Sequence, residues 1–309
     1  GCNYEEAIKQ LITLRNKNTK NARVYKLLGT AYVLFNHEEE ALIEMNRARE
    51  LAPDDAEVHF NLGGLYLLRD MFSSAMDCFE KVIELDPTDT MAYANLAAAY
   101  DMLKLYDKSI ISLKKVLMFN PEDKELRAAL SNAYFNAERY EEAVNAAQVV
   151  VEIDDKDPQA FCNLGNCYSV LSMVDDAIGA FKQASELAPD YSLPHTNLGT
   201  LYANMGRPET ALKEFKLAVG MNSQDTAAWL NLYNCYKEVG LMEDSQNAYR
   251  KYEALMEAPA LASTGSTEGE NPSNIPGGVS QTGGYAGGGD MDGNAPGMEA
   301  LTDEEPGTS

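Results

Sequence analysis

Two periods run through the apolar positions of this chain. Within short windows apolar residues return every three or four places, which puts them on one face of a helix. Over longer windows the whole pattern returns every 34 residues. The clearest copy is Ala56 to Asp89, and numbering from Ala56 places the copies at Ala22, Ala56, Thr90, Lys124, Pro158, Ser192 and Thr226, with no insertions. Position seven is leucine in every copy: Leu28, Leu62, Leu96, Leu130, Leu164, Leu198 and Leu232. Position eleven is tyrosine in every copy: Tyr32, Tyr66, Tyr100, Tyr134, Tyr168, Tyr202 and Tyr236. Each copy predicts two amphipathic helices, over roughly positions two to fourteen and eighteen to thirty, with a short turn between them.

The other recurrent positions have packing reasons. Position eight is small in six copies, and position twenty is Ala or Ser in all seven. Small residues there let the two helices approach closely. Position 24 is bulky (Met45, Phe79, Leu113, Phe181, Phe215, Tyr249) and fills the remaining space. Pro53, Pro87, Pro121 and Pro189 at position 32 stop the second helix. Asp and Thr close to each new start can cap the helix that follows.

Leu-Gly at seven and eight, Tyr at eleven, Ala at twenty and Pro at 32 resemble the tetratricopeptide-repeat family. LGGLY (Leu62 to Tyr66), LGNCY (Leu164 to Tyr168) and LGTLY (Leu198 to Tyr202) carry the resemblance most closely. Asp155 and Ser223 depart from it at position 32, and Tyr233 departs from it at position eight. The resemblance implies an all-α, right-handed superhelix of about seven and a half repeats, with the first helix of each pair lining a concave groove.

Repetition also sets the domain count. In a solenoid each repeat packs only on its neighbours, so the array is a single unit despite its length. Residues 1–21 match the second helix of a repeat without its partner, with Tyr4 at position 17 and Ala7 at position 20. This start points to truncation or to a removed leader. Cys2 after Gly1 also allows a lipid-bearing terminus on the periplasmic side as a minor alternative. Seven repeats then span 22–258. From 259 to 309 the composition shifts to Gly, Ser, Thr, Pro and Asn with no Lys or Arg. Such a stretch cannot bury enough apolar surface to offset its ordering entropy, so it is expected to be a disordered acidic tail. Met298 to Glu305 (MEALTDEE) is its one faintly helical patch.

Charge narrows the partners. The formal net charge is −23, which disfavours nucleic acid, since that binding depends on Lys and Arg contacting phosphates. No apolar run reaches the length of about 18 residues expected of a membrane helix. Of the five cysteines, Cys162 and Cys167 lie on different faces of one helix, and Cys167 and Cys235 are two repeats apart. They read as small buried hydrophobes, which fits a reducing, cytoplasmic compartment. No spacing suggests a metal, and no cofactor is expected.

No catalytic constellation is visible, and an enzyme is not expected. His59 and His195 both occupy position four, where the other copies carry Tyr, Phe, Trp or Arg, and read as packing residues. The positions of interest are those that the family turns toward the groove. Position six is Asn61, Asn95, Asn163, Asn197 and Asn231 in five of seven copies, interrupted by Leu27 and Ala129. A side-chain amide both donates and accepts, so a row of them can pair with an extended backbone. The row resembles the amide ladder in the tetratricopeptide region of O-linked N-acetylglucosamine transferase. Asn132 and Asn166 add amides at position nine, and Phe60, Met91 and Phe135 supply apolar anchors. The carboxylate clamp of chaperone-binding relatives does not fit, because Lys26 is present but Thr30 and Asn95 stand where the clamp needs Asn and a base. The expectation is a scaffold or adaptor that grips a partner peptide or helix. A regulatory arm of an enzyme lying upstream of residue 1, and a self-assembling homo-oligomeric scaffold, are the alternatives.

Overall fold

A computed structural model describes residues 4–17 and 20–257. Among them are fifteen helices and no strand. The first, α1 (Tyr4–Asn16), packs against α2 ahead of the first pair. Seven pairs follow: α2 and α3 (Ala22–Leu34, Glu38–Leu51), α4 and α5 (Ala56–Leu68, Phe72–Leu85), α6 and α7 (Thr90–Met102, Tyr106–Leu117), α8 and α9 (Lys124–Asn136, Tyr140–Ile153), α10 and α11 (Pro158–Val170, Val174–Leu187), α12 and α13 (Leu193–Asn204, Pro208–Met221), and α14 and α15 (Thr226–Glu238, Met242–Glu257). Except for α12, which begins at the expected position two, both helices of a pair begin about one residue earlier than the periodicity predicts. The expected disordered tail lies outside the described residues.

Side-chain capping explains the starts of most first helices; α3, α5, α7, α9, α11 and α13 begin without a capping side chain. Asp55, Asp89, Asp123 and Asp225 each accept a hydrogen bond from the backbone N–H three residues on, and Asp157 accepts two. Without such a cap, α12 begins one residue late, with Pro194 in its first turn.

The turn inside each pair was not legible in the sequence. The residue at position fifteen has positive φ in all seven repeats: Asn36, Asp70, Lys104, Glu138, Ser172, Gly206 and Gly240. Next to it, the N–H of position sixteen donates back to the tyrosine carbonyl of position eleven, at 2.8–2.9 Å in every repeat. This is the Schellman arrangement, which turns the chain while satisfying orphan carbonyls. A left-handed residue other than Gly costs about 1–2 kcal/mol. Replacing Glu138 by Gly should therefore raise stability by about 0.5–1 kcal/mol after the entropy Gly adds to the unfolded chain, readable as a higher urea midpoint. An unchanged or lower midpoint would remove this account of the turn.

Close approach inside each pair follows the small-residue logic. A Cβ built on Gly63 would stand 2.7 Å from Phe79, and on Gly165 or Gly199 it would stand 2.6 Å from Phe181 or Phe215. Gly29 makes the same notch for Met45. The notch and its filler vary together: Ala97 goes with Leu113, and Ser131 with Ala147. Leu28, Leu62, Phe79, Phe181 and Phe215 are among the largest fully buried side chains. They belong to a series of core clusters strung along the array, as expected when each repeat packs only on its neighbours.

Cys78, Cys162, Cys167 and Cys235 are free and buried. Burial pushes their thiols up, Cys162 to about 12 and the others to about 11. The thiolate is the reactive form, so none of the four should react with Ellman's reagent at pH 8 until denaturant is added. Fast labelling of any of them in the folded protein would contradict this packing.

Candidate binding groove

Packing between repeats shows which helices form the inner wall. The first helices of neighbouring repeats touch one another at α2–α4, α4–α6, α10–α12 and α12–α14, whereas no two second helices make comparable contact. A stack of pairs whose first helices are crowded and whose second helices are splayed curves toward the first helices. The concave surface is therefore built from α2, α4, α6, α8, α10, α12 and α14. Contact between first helices is sparsest on either side of α8.

The amides are not equally presented. Asn61 and Asn95 are only 7 % exposed. Asn163, Asn197 and Asn231 are half-buried, as are Asn132 and Asn166 at position nine. Asn163 accepts from the Gln159 side chain at 2.9 Å. Phe60 and Phe135 are half-buried, each held edge-on by another ring: Phe60 by Phe79 at 5.7 Å between centroids, Phe135 by Tyr140 at 5.4 Å. These contacts fix the anchors in place. Met91 is exposed.

Two further features line the first helices. The first is a row at position thirteen, a groove-facing position whose Leu68 and Met102 are already legible in the sequence: Leu34, Leu68, Met102 and Val170 are all exposed large apolar side chains. Positions six and thirteen are two turns apart, roughly 10 Å along each helix, so an amide row and an apolar row run side by side. The 34-residue step already held this signal. The second is Asp101, at position twelve of α6. Among the described residues, three buried side-chain atoms have no hydrogen-bond partner: Asp101 Oδ1, Asn132 Oδ1 and Asn197 Nδ2. All three belong to first helices, at positions twelve, nine and six. Buried orphans of this kind are rare and call for a reason.

Burial pushes the Asp101 carboxyl up to about 6. A carboxyl whose pKa is higher in the folded state than in the unfolded chain stabilises the fold below the unfolded value of about 4, and loses that contribution as pH rises toward 6. Asp101→Asn should therefore stabilise the protein at pH 7 by roughly 1–2 kcal/mol, after discounting for partial exposure, and should be neutral at pH 4. Urea unfolding at the two pH values measures this, and equal midpoints for both proteins at pH 7 would refute it.

Other polar groups on the first helices are already engaged. Lys26 donates to Asp55 at 2.9 Å and Glu57 at 2.6 Å, so even its one match to the carboxylate clamp is spent on ion pairs between repeats. The packing role of the position-four residues needs refinement. His59 contacts the Pro53 carbonyl at 2.8 Å, and Trp229 donates to the Ser223 carbonyl at 3.0 Å, each tying its helix to the loop before it. His195 instead links Ser185, at 3.2 Å from Nε2, with Glu214, at 2.8 Å from Nδ1. That chain of contacts has the connectivity of an acyl-transfer relay. Ser185 itself sits within the last turn of α11, where backbone N–H groups are used by the helix. The evident work of these contacts is to join α11, α12 and α13. Among the described residues no group of His, Cys, Asp and Glu could hold a metal ion, and no helix is long and apolar enough to cross a membrane.

An α-solenoid of paired helices with a lined inner groove belongs to the class of helical-repeat proteins. Family models for the tetratricopeptide repeat match residues 56–89, residues 78–111 and 180–213, and residues 106–161. The matched stretches are tetratricopeptide repeats, and the helical array is built from them. Among solved structures, MamA 41-end from Desulfovibrio magneticus RS-1 is 23% identical, with a TM-score of 0.51 over 54% of this chain and 94% of that one. The APC/C hetero-tetramer Cut9–Hcn1 is 18% identical, with a TM-score of 0.51 over 75% of this chain and 46% of that one. At these identities the likeness speaks for the fold. No curated protein sequence matches the chain.

Proposed function

We propose that this chain is a protein-interaction scaffold that holds an extended segment of another protein along its inner groove. The observation that carries the reading is the coincidence of three buried, unpartnered polar atoms with the groove helices. Asn197 Nδ2 is a donor in want of a carbonyl. Asn132 Oδ1 is an acceptor in want of an N–H. Asp101 is a carboxyl in want of a donor or a cation. An extended peptide supplies carbonyls and N–H groups along its length, and a Lys or Arg in it would suit Asp101. The apolar row at position thirteen would take its side chains, beside Phe60, Met91 and Phe135. Small rotations of the side chains, of the sort common at interfaces, would bring the buried atoms to the ligand.

Capture from native lysate tests this reading. The wild-type protein serves as bait beside a variant with Asn61, Asn95, Asn163 and Asn197 all replaced by Ala, and circular dichroism checks that the variant is folded. A protein retained by the first and lost by the second supports the groove. Equal capture by both would move binding to the outer face and sink the site assignment while leaving the fold untouched.

A further inference from the structure

The outer face of α7 differs from every equivalent surface in the array. Asp107, Lys108, Ile111, Lys114, Lys115 and Met118 fall on one side of the helix by its 3.6-residue period, and all are exposed. Ile111 is 64 %, Met118 79 % and the adjacent Phe119 64 % exposed. Where α7 carries Lys108 at position nineteen, four counterparts carry a carboxylate: Glu40, Glu142, Asp176 and Asp244. At position 29, Met118 caps the end of α7 where four counterparts have Glu50, Glu84, Glu152 and Glu186. With three lysines against one aspartate, α7 is a cationic helix in a strongly acidic protein. The lysines are held in place over tyrosine rings, Lys108 over Tyr100 at 5.2 Å, Lys114 over Tyr134 at 5.3 Å and Lys115 over Tyr93 at 6.0 Å. The nearby acids are partly occupied: Asp107 lies 3.8 Å from Arg139, and Glu142 pairs with the same arginine. Three exposed apolar side chains beside three ordered cations favour an acidic partner with an apolar edge over water alone.

We propose that this face holds the chain's own segment 298–305, MEALTDEE, within the same molecule. The segment has four carboxylates and no base, and its Met298 and Leu301 are spaced for one face of a helical turn. Its acids would meet Lys108, Lys114 and Lys115, and its apolar pair would cover Ile111, Met118 and Phe119. The span is adequate. From Glu257 to Met298 the chain can reach at most about 130–150 Å, while the eight helix-to-helix steps between α7 and α15, at about 8–10 Å each, come to no more than about 80 Å. The inference concerns the outer surface and does not rest on the groove reading.

Zero-length carbodiimide coupling, which joins a carboxylate to an amine already in contact, tests it on the full chain. Equal amounts of unlabelled and 15N-labelled protein are mixed, coupled, digested and read by mass spectrometry. The expected products join Lys114 and Lys115 to Asp303, Glu304 or Glu305, with both halves carrying the same label. Those products should disappear in 1 M salt, where charges are screened within about 3 Å. They should also fall severalfold in Met118→Ser with Phe119→Ser, which leaves every lysine in place and changes only exposed side chains. Coupling spread equally over Lys182, Lys213 and Lys251 would overturn the proposal, as would yields unaffected by the serine variant. Mixed-label products would overturn it by assigning the segment to a second copy.

Discussion

Phe181→Ala is expected to destabilise the array by about 3–5 kcal/mol, the usual cost of emptying a buried aromatic site. Phe181 is 1 % exposed, and its ring sits against the backbone of Gly165, so close that a Cβ there would stand 2.6 Å from it. No neighbouring side chain can fill the space cheaply, because the notch is backbone. The loss should be regional, since repeats are coupled mainly to their neighbours. Amide hydrogen exchange should show lost protection in α10 to α13, with α2 to α5 affected least. A double-mutant cycle sharpens the test. Gly165→Ala alone overpacks the notch and should cost about 1–3 kcal/mol. Combined with Phe181→Leu it recreates the Ala97 and Leu113 pair found between α6 and α7, so the double variant should be more stable than the sum of the two single losses predicts. Strict additivity would show that the two positions do not pack as a unit.

The logic of that pair was legible before any coordinates. Leucine at seven, tyrosine at eleven, a small residue at eight and a bulky one at 24 are statements about contact between two helices of one repeat, and a 34-residue period repeats them often enough to be read. The turn at position fifteen was hidden for the opposite reason. Its left-handed conformation is imposed by the hydrogen bond closing around it; Gly206 and Gly240, and more weakly Asn36 and Asp70, advertise it by residue type, while Lys104, Glu138 and Ser172 do not. Asp101 was hidden because one acidic residue among many looks solvated. Its burial comes from helices packed around it, which periodicity along the chain does not place. The same limit applies to Asn61 and Asn95, identical in type to Asn163 and Asn231 yet nearly enclosed, because burial is set by packing that residue type does not announce.

That unevenness shapes what the four-asparagine variant should do. Each amide bond to a ligand backbone contributes about 0.5–1.5 kcal/mol net, so losing four would weaken binding by about 2–6 kcal/mol, roughly 30-fold to 10⁴-fold. The contributions should not be equal. Asn197, with its Nδ2 orphaned in the unbound groove, already bears the desolvation cost that a ligand would relieve, so Asn197→Ala should cost more affinity than Asn61→Ala. Asp101→Asn should separate stability from binding: the fold gains near neutral pH while affinity for a segment bearing Lys or Arg falls. Its effect should shrink with added salt, whereas the amide losses should not, because neutral hydrogen bonds are little screened. Calorimetry with a synthetic peptide from a captured partner, at two salt concentrations and with the single variants, reads all of this. If the asparagine losses are as salt-sensitive as the Asp101 loss, the amides act only by shaping the groove. If every single variant binds as tightly as the wild type, the ligand does not lie along these helices, and the orphaned atoms require another explanation.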